Sequence, residues 1–371
     1  MAQYQPGLTI GLLGGGQLAR MLAHSAQNFG LKASVYSANH SDPAVQVTDA
    51  WRKGSIDDAK ALSQFLESVD IATFESEFQD AKALATAEQQ TQTKILPSPK
   101  TMGLLQDRKS QKTLLDDNSI KTSSWSSVDT KEDIASFISK HKLPVVFKKR
   151  KNGYDGYGTY IVKSEEQLND FIEKDFKPEF FIVEKFIPFE KEMAIIFARS
   201  LDGSITHLPL VESFQKDARC FWVKGPVKHK GLKTTVKNFS KLLKKIDYVG
   251  VMGVEFFKTS KGLMVNEIAP RVHNTGHYSM DTEGPSQFDL HIMCLLGQKL
   301  PKPIEIKKGF AMVNLLGDST NTPQLEPIKG LHWYGKEENR PGRKMGHINV
   351  VEKNPSEALK KALKLNKRIK L

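Results

Sequence analysis

Apolar positions recur along this chain with two alternating periods, and their succession reads as layers of strand and helix. Leu8 to Leu13 is a short apolar run broken by Gly14, Gly15 and Gly16. Leu18, Met21, Leu22 and Ser25 then repeat at helical spacing up to Gly30, a residue that readily ends a helix. Ala33–Tyr36 reads as a second strand, Ala59–Leu66 as a helix, Ile71–Phe74 as a strand and Asp80–Gln92 as a helix. This alternation predicts a Rossmann-like domain over residues 1–100, closed by Pro97 and Pro99.

A helical stretch from Thr101 opens a second unit, residues 101–190. In it, Leu143–Lys148 and Thr159–Val162 read as strands around a glycine loop, Glu165–Glu173 as a helix and Phe180–Phe186 as a strand. Strand patterns dominate residues 191–371: Met193–Ala198, Ile205–Leu210 and Val251–Phe257, the last in a hairpin with Leu263–Ile268. A helix, Ser286–Leu296, precedes a small β-rich tail over about 305–371 that holds Ala311–Leu315 and His347–Val351. The fold class is therefore α/β, α+β overall, in two or three domains.

Composition narrows the picture. A chain of 371 residues is too long for one compact core. No apolar run approaches the roughly 20 residues of a membrane-spanning helix, and Met1–Gly7 has neither basic residues nor a signal core, so a cytoplasmic enzyme with no membrane partner is expected. Cys220 and Cys294 stand alone, which points away from a disulfide framework or a zinc site. The net charge of +12 raises the question of nucleic acid. Many of the lysines, however, fall in amphipathic helix patterns at Lys233–Lys245 and Lys353–Lys370, the latter with Leu359, Leu363 and Leu365 between them, so no nucleic-acid partner is expected.

Four stretches carry candidate chemistry. Gly14-Gly15-Gly16-Gln17-Leu18-Ala19 satisfies a dinucleotide fingerprint, yet no acid follows the second strand until Asp42. The turn thus reads as a cradle for some other phosphorylated ligand, as a tight structural bend or, least well matched, as a nicotinamide-cofactor site. Lys148 to Thr159 sets four cations before three glycines between two strands, a pattern suited to a flap over polyphosphate; it is not a Walker loop, since no helix follows. Glu255 and Glu267 become direct cross-strand partners if the hairpin is centred on residue 261, and opposed carboxylates in a core call for a cation such as magnesium. Arg271, His273 and Asn274 follow immediately, and Lys336, Arg340, Arg343 and Lys344 surround Pro341-Gly342; both clusters suit anions.

Together these stretches resemble the N5-carboxyaminoimidazole ribonucleotide synthetases of the ATP-grasp superfamily, the ATPase subunit of phosphoribosylaminoimidazole carboxylase. The resemblance rests on GGGQLARM (14–21), TFESE (73–77), KKRKNGYDGYG (148–158), VEKFI (183–187), GVMGVEFF (250–257), VNEIAPRVHNTGH (265–277), SQFDLH (286–291) and LHWYGKEENRPGRKMGHINV (331–350). It implies an ATP-grasp fold with an N-terminal Rossmann-like domain, a central lid domain and a C-terminal β-rich domain. It also implies ATP as co-substrate, bicarbonate, aminoimidazole ribonucleotide, Mg2+, a homodimer, and a separate carboxyaminoimidazole ribonucleotide mutase to receive the product.

By matching position, the ATP site would comprise Arg108, Lys148, Gly153, Tyr154, Asp155, Gly156, Tyr157, Gly158, Thr159, Glu184, Lys185, Phe186, Ile187, Glu192, Gln215 and Asn266. Glu255 and Glu267 would hold the metal. Gln17, Leu18, Glu75, Tyr154, Asp155, Arg271, Lys336, Arg340 and Arg343 would surround the ribonucleotide, and Arg271, His273 and Asn274 would bind bicarbonate. The chain departs from the family pattern at Tyr157, often basic there, at Gln215, often histidine, and at Glu338-Asn339, which lengthens a turn. Rival expectations are a formate-dependent ribonucleotide transformylase, a biotin carboxylase, a nicotinamide oxidoreductase, or a catalytically silent binding module.

Overall fold

The computed structural model describes residues 5–153, 156–318, 323–325 and 327–369. The N-terminal part runs β1 (Thr9–Leu13), α1 (Gln17–Asn28), β2 (Lys32–Ser37), β3 (Ala50–Lys53), α2 (Ala59–Leu66), β4 (Ile71–Phe74) and α3 (Ala81–Thr91). Its strands form a parallel sheet in the order β3-β2-β1-β4. Asp80 lies just outside α3 because its carboxylate accepts from the N–H groups of Lys82 and Ala83, satisfying two donors of the first turn. The pattern did not signal β3: it is an edge strand of Ala-Trp-Arg-Lys with no buried position.

Helices α4 (Pro99–Gln106) and α5 (Arg108–Asp117) form the bridge to the next unit. The helical stretch begins at Pro99 rather than Thr101, since proline suits the first turn and Ser98 caps it. Next come β5 (Trp125–Val128), α6 (Lys131–His141), β6 (Val145–Lys149), β7 (Thr159–Val162), α7 (Glu165–Lys174) and β8 (Phe181–Lys185). They build an antiparallel sheet ordered β5-β8-β6-β7. One face carries Val145, Phe147, Val162, Phe181 and Val183, packed with Phe137 of α6 and Phe171 of α7. The register sends Val146, Lys148, Ile161 and Glu184 to the opposite face.

The remaining elements are β9 (Lys191–Arg199), β10 (Ile205–His207), β11 (Val211–Lys216), β12 (Arg219–Gly225), α8 (Leu232–Lys245), β13 (Gly250–Thr259), β14 (Gly262–Ala269), α9 (Gln287–Leu295), β15 (Gly309–Leu316), β16 (Leu331–Trp333), β17 (Lys344–Glu352) and α10 (Pro355–Asn366). Their strands share one sheet, β14-β13-β9-β11-β12-β15-β17-β16, with β10 on β9. The strands of the C-terminal tail therefore continue this sheet through the β12–β15 ladder. β10 stops at His207, short of the expected Leu210, because Pro209 cannot donate to a ladder.

A shared core joins this sheet to the N-terminal part. Leu18 and Leu22 of α1 belong to one buried cluster with Ile196, Val272, Phe288, Phe310 and Tyr334. Two buried polar contacts lock the same junction: Ser25 Oγ donates to Asp289 of α9 (2.7 Å), and Thr73 of β4 meets His291 of α9 (2.9 Å). Among the described residues, no helix is long and apolar enough to cross a membrane.

Candidate active site

The β13–β14 hairpin supplies the acidic centre. Val251, Val254, Phe256 and Val265 are strand-favouring residues, all buried, and they hold the hairpin inside the sheet. Glu255 and Glu267 are direct partners, as the sequence predicts, but by a different route. The turn pairs Thr259 with Gly262, so its centre lies half a residue before Lys261. A bulge then makes up the difference, pairing Phe256 with Val265 and Glu255 with Glu267 and leaving Asn266 as the extra residue. In a flat strand Asn266 and Glu267 would face opposite sides; the bulge lets both reach Glu255, and Asn266 Nδ2 donates to it at 3.4 Å.

The electrostatics of the pair are asymmetric. Burial pushes the Glu255 carboxyl up to about 7, reinforced by the charges of Glu267 and Glu192. Burial acts on Glu267 in the same sense, but Arg108 and Lys148 outweigh it and hold that carboxyl below its ordinary value. Glu192, on β9 beside Glu255, is itself raised to about 7 by burial. Among the described residues, no group of three or more His, Cys, Asp or Glu side chains is arranged to hold a metal unaided. Two carboxylates paired across the ladder, Glu255 and Glu267, suit an ion that takes only one or two carboxylates and completes its shell with phosphate oxygens and water.

Cations approach this pair from α5 and from the lid sheet. Arg108, the first residue of α5, donates to Glu267 Oε2 (2.8 Å) and to the Lys149 carbonyl (3.0 Å). Lys148 donates to Asn266 Oδ1 (2.9 Å) and pairs with Glu184 (3.2 Å). Glu184 is buried and also pairs with Lys112 at 3.1 Å. Burial lowers the Lys112 ammonium to about 8, whereas burial works against Glu184 but the two lysines win and pull its carboxyl to about 2. Ile161 lies exposed on this same face of the lid sheet, an apolar surface beside the charged one.

The β6–β7 connection takes flap geometry. Gly156 and Gly158 both have positive φ, at 80° and 78°. Gly153 approaches Arg108 so closely that a Cβ there would lie 2.7 Å from Nη1, and a Cβ on Gly156 would lie 2.3 Å from Ala218 at the β11–β12 turn. Tyr154 and Asp155 lie outside the described residues. Lys149 sits over the exposed Tyr157 ring, 4.6 Å from its centroid. Thr159 begins β7; Lys185 ends β8 and is followed by Phe186, whose N–H donates to the Pro144 carbonyl (3.4 Å), and Ile187. Gln215 lies on β11, paired with Cys220.

One ion pair and one amide-held carboxylate lie between this centre and the glycine turn. Arg271, after β14, forms a bidentate pair with Glu77, and Nη2–Oε1 is 2.8 Å. Glu75, two residues earlier, accepts from the N–H groups of Gly16 (2.6 Å) and Ala19 (3.1 Å), with Gln17 and the buried Leu18 between them. The carboxylate of Glu75 thus occupies the amide cradle at the start of α1, where a dinucleotide pyrophosphate would have to sit. This disfavours the nicotinamide alternative and explains two of the three glycines: a Cβ at Gly14 or Gly16 would lie 2.8 or 2.6 Å from Glu75, whereas at Gly15 it would lie 2.6 Å from Asp42.

His273 places Nε2 3.7 Å from Glu255, while Nδ1 meets Thr275 Oγ1 at 2.8 Å. Burial first, then Arg271 and Lys344, depress its pKa to about 3, so the ring is neutral. Asn274 exchanges amide hydrogen bonds with the buried Asn314, at 3.1 and 2.7 Å. The C-terminal cationic turn is organised differently. Arg340 pairs with Glu338 (2.9 Å), and Arg343 donates to the Glu338 carbonyl (3.1 Å), so the lengthened turn brings its own acid to both arginines. Lys336 donates to the Lys344 carbonyl at 2.7 Å.

Sequence reasoning did not single out Glu77, Lys112, Asn314 or Gln287, each of which holds a candidate site residue or its partner in place. Glu77 and Gln287 lie within quoted motifs, TFESE and SQFDLH, but their partners are distant in sequence. Lys112 and Asn314 carry no local signal, since an ordinary helix lysine and a strand asparagine look the same when solvated.

Comparison with known proteins gives a consistent set of likenesses. Residues 8–106 match the ribonucleotide synthetase preATP-grasp domain, 113–288 the ATP-grasp domain, and 311–361 the phosphoribosylaminoimidazole carboxylase C-terminal domain. The chain is 37% identical over 352 residues to the N5-carboxyaminoimidazole ribonucleotide synthase of Synechococcus elongatus, covering 92% of this chain and 89% of that one. It superposes on the Staphylococcus aureus N5-carboxyaminoimidazole synthetase complexed with ADP with a TM-score of 0.91 at 33% identity, covering 99% of each chain. The Aspergillus clavatus enzyme in complex with ADP and 5-aminoimidazole ribonucleotide gives a TM-score of 0.85 at 27% identity, covering 98% of this chain and 99% of that one.

Proposed function

The chain belongs to the N5-carboxyaminoimidazole ribonucleotide synthase family of ATP-grasp ligases, and from that premise we propose how its own residues divide the work. It catalyses ATP- and bicarbonate-dependent carboxylation of 5-aminoimidazole ribonucleotide at N5, releasing ADP and phosphate, a step of purine biosynthesis. One observation carries the assignment of roles: Glu255 and Glu267 face each other, with Asn266 bulged between them and Arg108 and Lys148 converging on the same point.

In this reading the lid face with Lys148 and Glu184 receives the nucleotide, the main chain from Glu184 to Ile187 meets adenine, Glu192 lies toward the ribose, and Gln215 is a further ATP contact. Gly153–Thr159 closes over the phosphates, and Arg108 binds them. Glu255 and Glu267 hold Mg2+, which when bound neutralises phosphate charge. Arg271, His273 and Asn274 hold bicarbonate. Gln17, Leu18, Glu75, Tyr154, Asp155, Lys336, Arg340 and Arg343 surround the ribonucleotide.

Bicarbonate is a poor electrophile, so one of its oxygens first attacks the γ-phosphorus in line, breaking the bond to the ADP oxygen and giving carboxyphosphate. Lys148 and Arg108 offset charge developing on the transferred group. Cleavage of the C–O bond to phosphate then yields carbon dioxide and inorganic phosphate. The 5-amino nitrogen attacks that carbon and loses a proton, leaving the carbamate. Nδ1 of His273 accepts from the Thr275 N–H (3.4 Å), so the neutral ring carries its proton on Nε2, toward Glu255; it is placed as a bicarbonate ligand. Flap closure keeps water from carboxyphosphate.

The wider reading, in which the enzyme is a cytoplasmic homodimer passing its acid-labile carbamate to a separate mutase, is supported by the family resemblance. The deciding experiment measures ADP release with bicarbonate, with and without 5-aminoimidazole ribonucleotide. Release that depends on both is expected. Turnover indifferent to the ribonucleotide, or supported by formate instead of bicarbonate, would overturn the reading.

A further inference from the structure

Gln287, the first residue of α9, is fully buried, and its amide reaches back into the loop that follows β14. Its Oε1 accepts from the His273 N–H (2.8 Å), and its Nε2 donates to the His273 carbonyl (2.8 Å) and to His277 Nδ1 (2.8 Å). One side chain thus grips His273 by both main-chain groups, as a neighbouring strand would. Because a backbone N–H can only donate, the orientation of the amide is settled, and His277 must present an unprotonated Nδ1 to it.

The anchor behind this grip is rigid. The Gln287 N–H donates to Ser279 Oγ (2.9 Å), which donates to the Gly276 carbonyl (2.6 Å), closing the loop on α9. Ser286 and Asp289 form a capping box at the same helix end, and Asp289 accepts from Ser25 of α1. Gly276 has no room for a side chain, since a Cβ there would lie 2.6 Å from Gln287 Oε1. Among the described residues, none of these hydrogen bonds involves the lid sheet or the hairpin turn.

We propose that Gln287 is a positioning residue for the bicarbonate step: it sets the height and orientation of the Arg271–Asn274 segment, and so the placement of His273 beside Glu255. The proposal rests on the assignment of that segment to bicarbonate. A glutamine at this point does what a hydrophobic residue cannot, because the loop's main-chain donor and acceptor at His273 are part-buried and draw both an acceptor and a donor from one group. Gln287→Met keeps the bulk and removes all three hydrogen bonds; Gln287→Glu keeps an acceptor for the His273 N–H and loses the donors.

Steady-state kinetics on the full chain in carbon-dioxide-depleted buffer separate the outcomes. Both variants are expected to raise KM for bicarbonate at least about tenfold while KM for ATP stays within about twofold. Should Gln287→Met fail to fold, Gln287→Glu carries the test. Bicarbonate KM unchanged in Gln287→Glu, or rising in step with that for ATP, overturns the proposal. His273→Ala run in parallel tells the two failures apart: if it raises KM for bicarbonate and the Gln287 variants do not, only the positioning role is lost. If it too leaves KM for bicarbonate unchanged, the bicarbonate assignment of the loop itself falls.

Discussion

Two carboxylates facing each other across a ladder repel, and burial adds to the cost of ionising them. Here the strain is unevenly shared: Glu267 stays ionised against Arg108, while Glu255 is held up to about 7. Such a pair persists in a core when a cation is meant to join it. Removing Glu267 should therefore do more than delete a charge, because it also leaves the Arg108 guanidinium without its carboxylate. Glu267→Ala is expected to lower ADP release at least about a hundredfold while the protein stays folded. ADP assay and circular dichroism on the same preparation check this; near-normal turnover would remove Glu267 from the phosphate site. The identity of these acids was legible because NE and VEF stand in strand-like surroundings. The bulge was not, because a one-residue register shift leaves no mark on the apolar pattern.

The flap owes its conformation to glycine at particular positions. Gly158 has φ of 78°, and a Cβ there would press to 2.9 Å of the Lys149 side chain. Alanine in that backbone region costs about 1–2 kcal/mol, which falls on the closed flap. Gly158→Ala is expected to raise KM for ATP about fivefold to thirtyfold with little change in Tm. Gly203, at φ 87° in the β9–β10 turn with nothing near its Cβ position, is the control. Its alanine variant carries a similar backbone strain and should leave KM for ATP unchanged; equal effects at both positions would refute the flap role. In the lid, β6, β7, β8 and α7 were readable from periodicity. β5, β11 and β12 were not, because their polar and apolar residues mix on half-exposed strands.

Across the whole molecule, His291 ties the N-terminal sheet to the large one: Nε2 meets Thr73 of β4 and Nδ1 accepts from the Val251 N–H of β13 (3.1 Å). Burial lowers its pKa to about 4. A histidine depressed on folding binds fewer protons in the native than in the unfolded chain between pH 6.5 and that value. Its stabilising contribution is therefore complete above the unfolded pKa and is lost as pH falls through the window. Glu192 and Glu255, both raised to about 7, act with opposite sign over the same range, so the useful quantity is a difference. The stability advantage of wild type over His291→Gln should shrink by about 2 kcal/mol between pH 6.5 and 5. Denaturant titrations at several pH values check it; a constant gap would show that His291 does not stay neutral in the native core.

Local pattern alone determined much of the order of strands and helices, the glycine-rich β6–β7 connection, the paired acids and the cationic loops, because hydrophobic period and turn chemistry act over a few residues. Tertiary structure decided what those groups do to one another. It seated Glu75 in the amide cradle of α1, gave Glu77 to Arg271 and Gln287 to His273, and merged the C-terminal strands into the large sheet. Each of these joins residues far apart in sequence through burial and charge, and neither quantity exists for a side chain until the chain has folded around it.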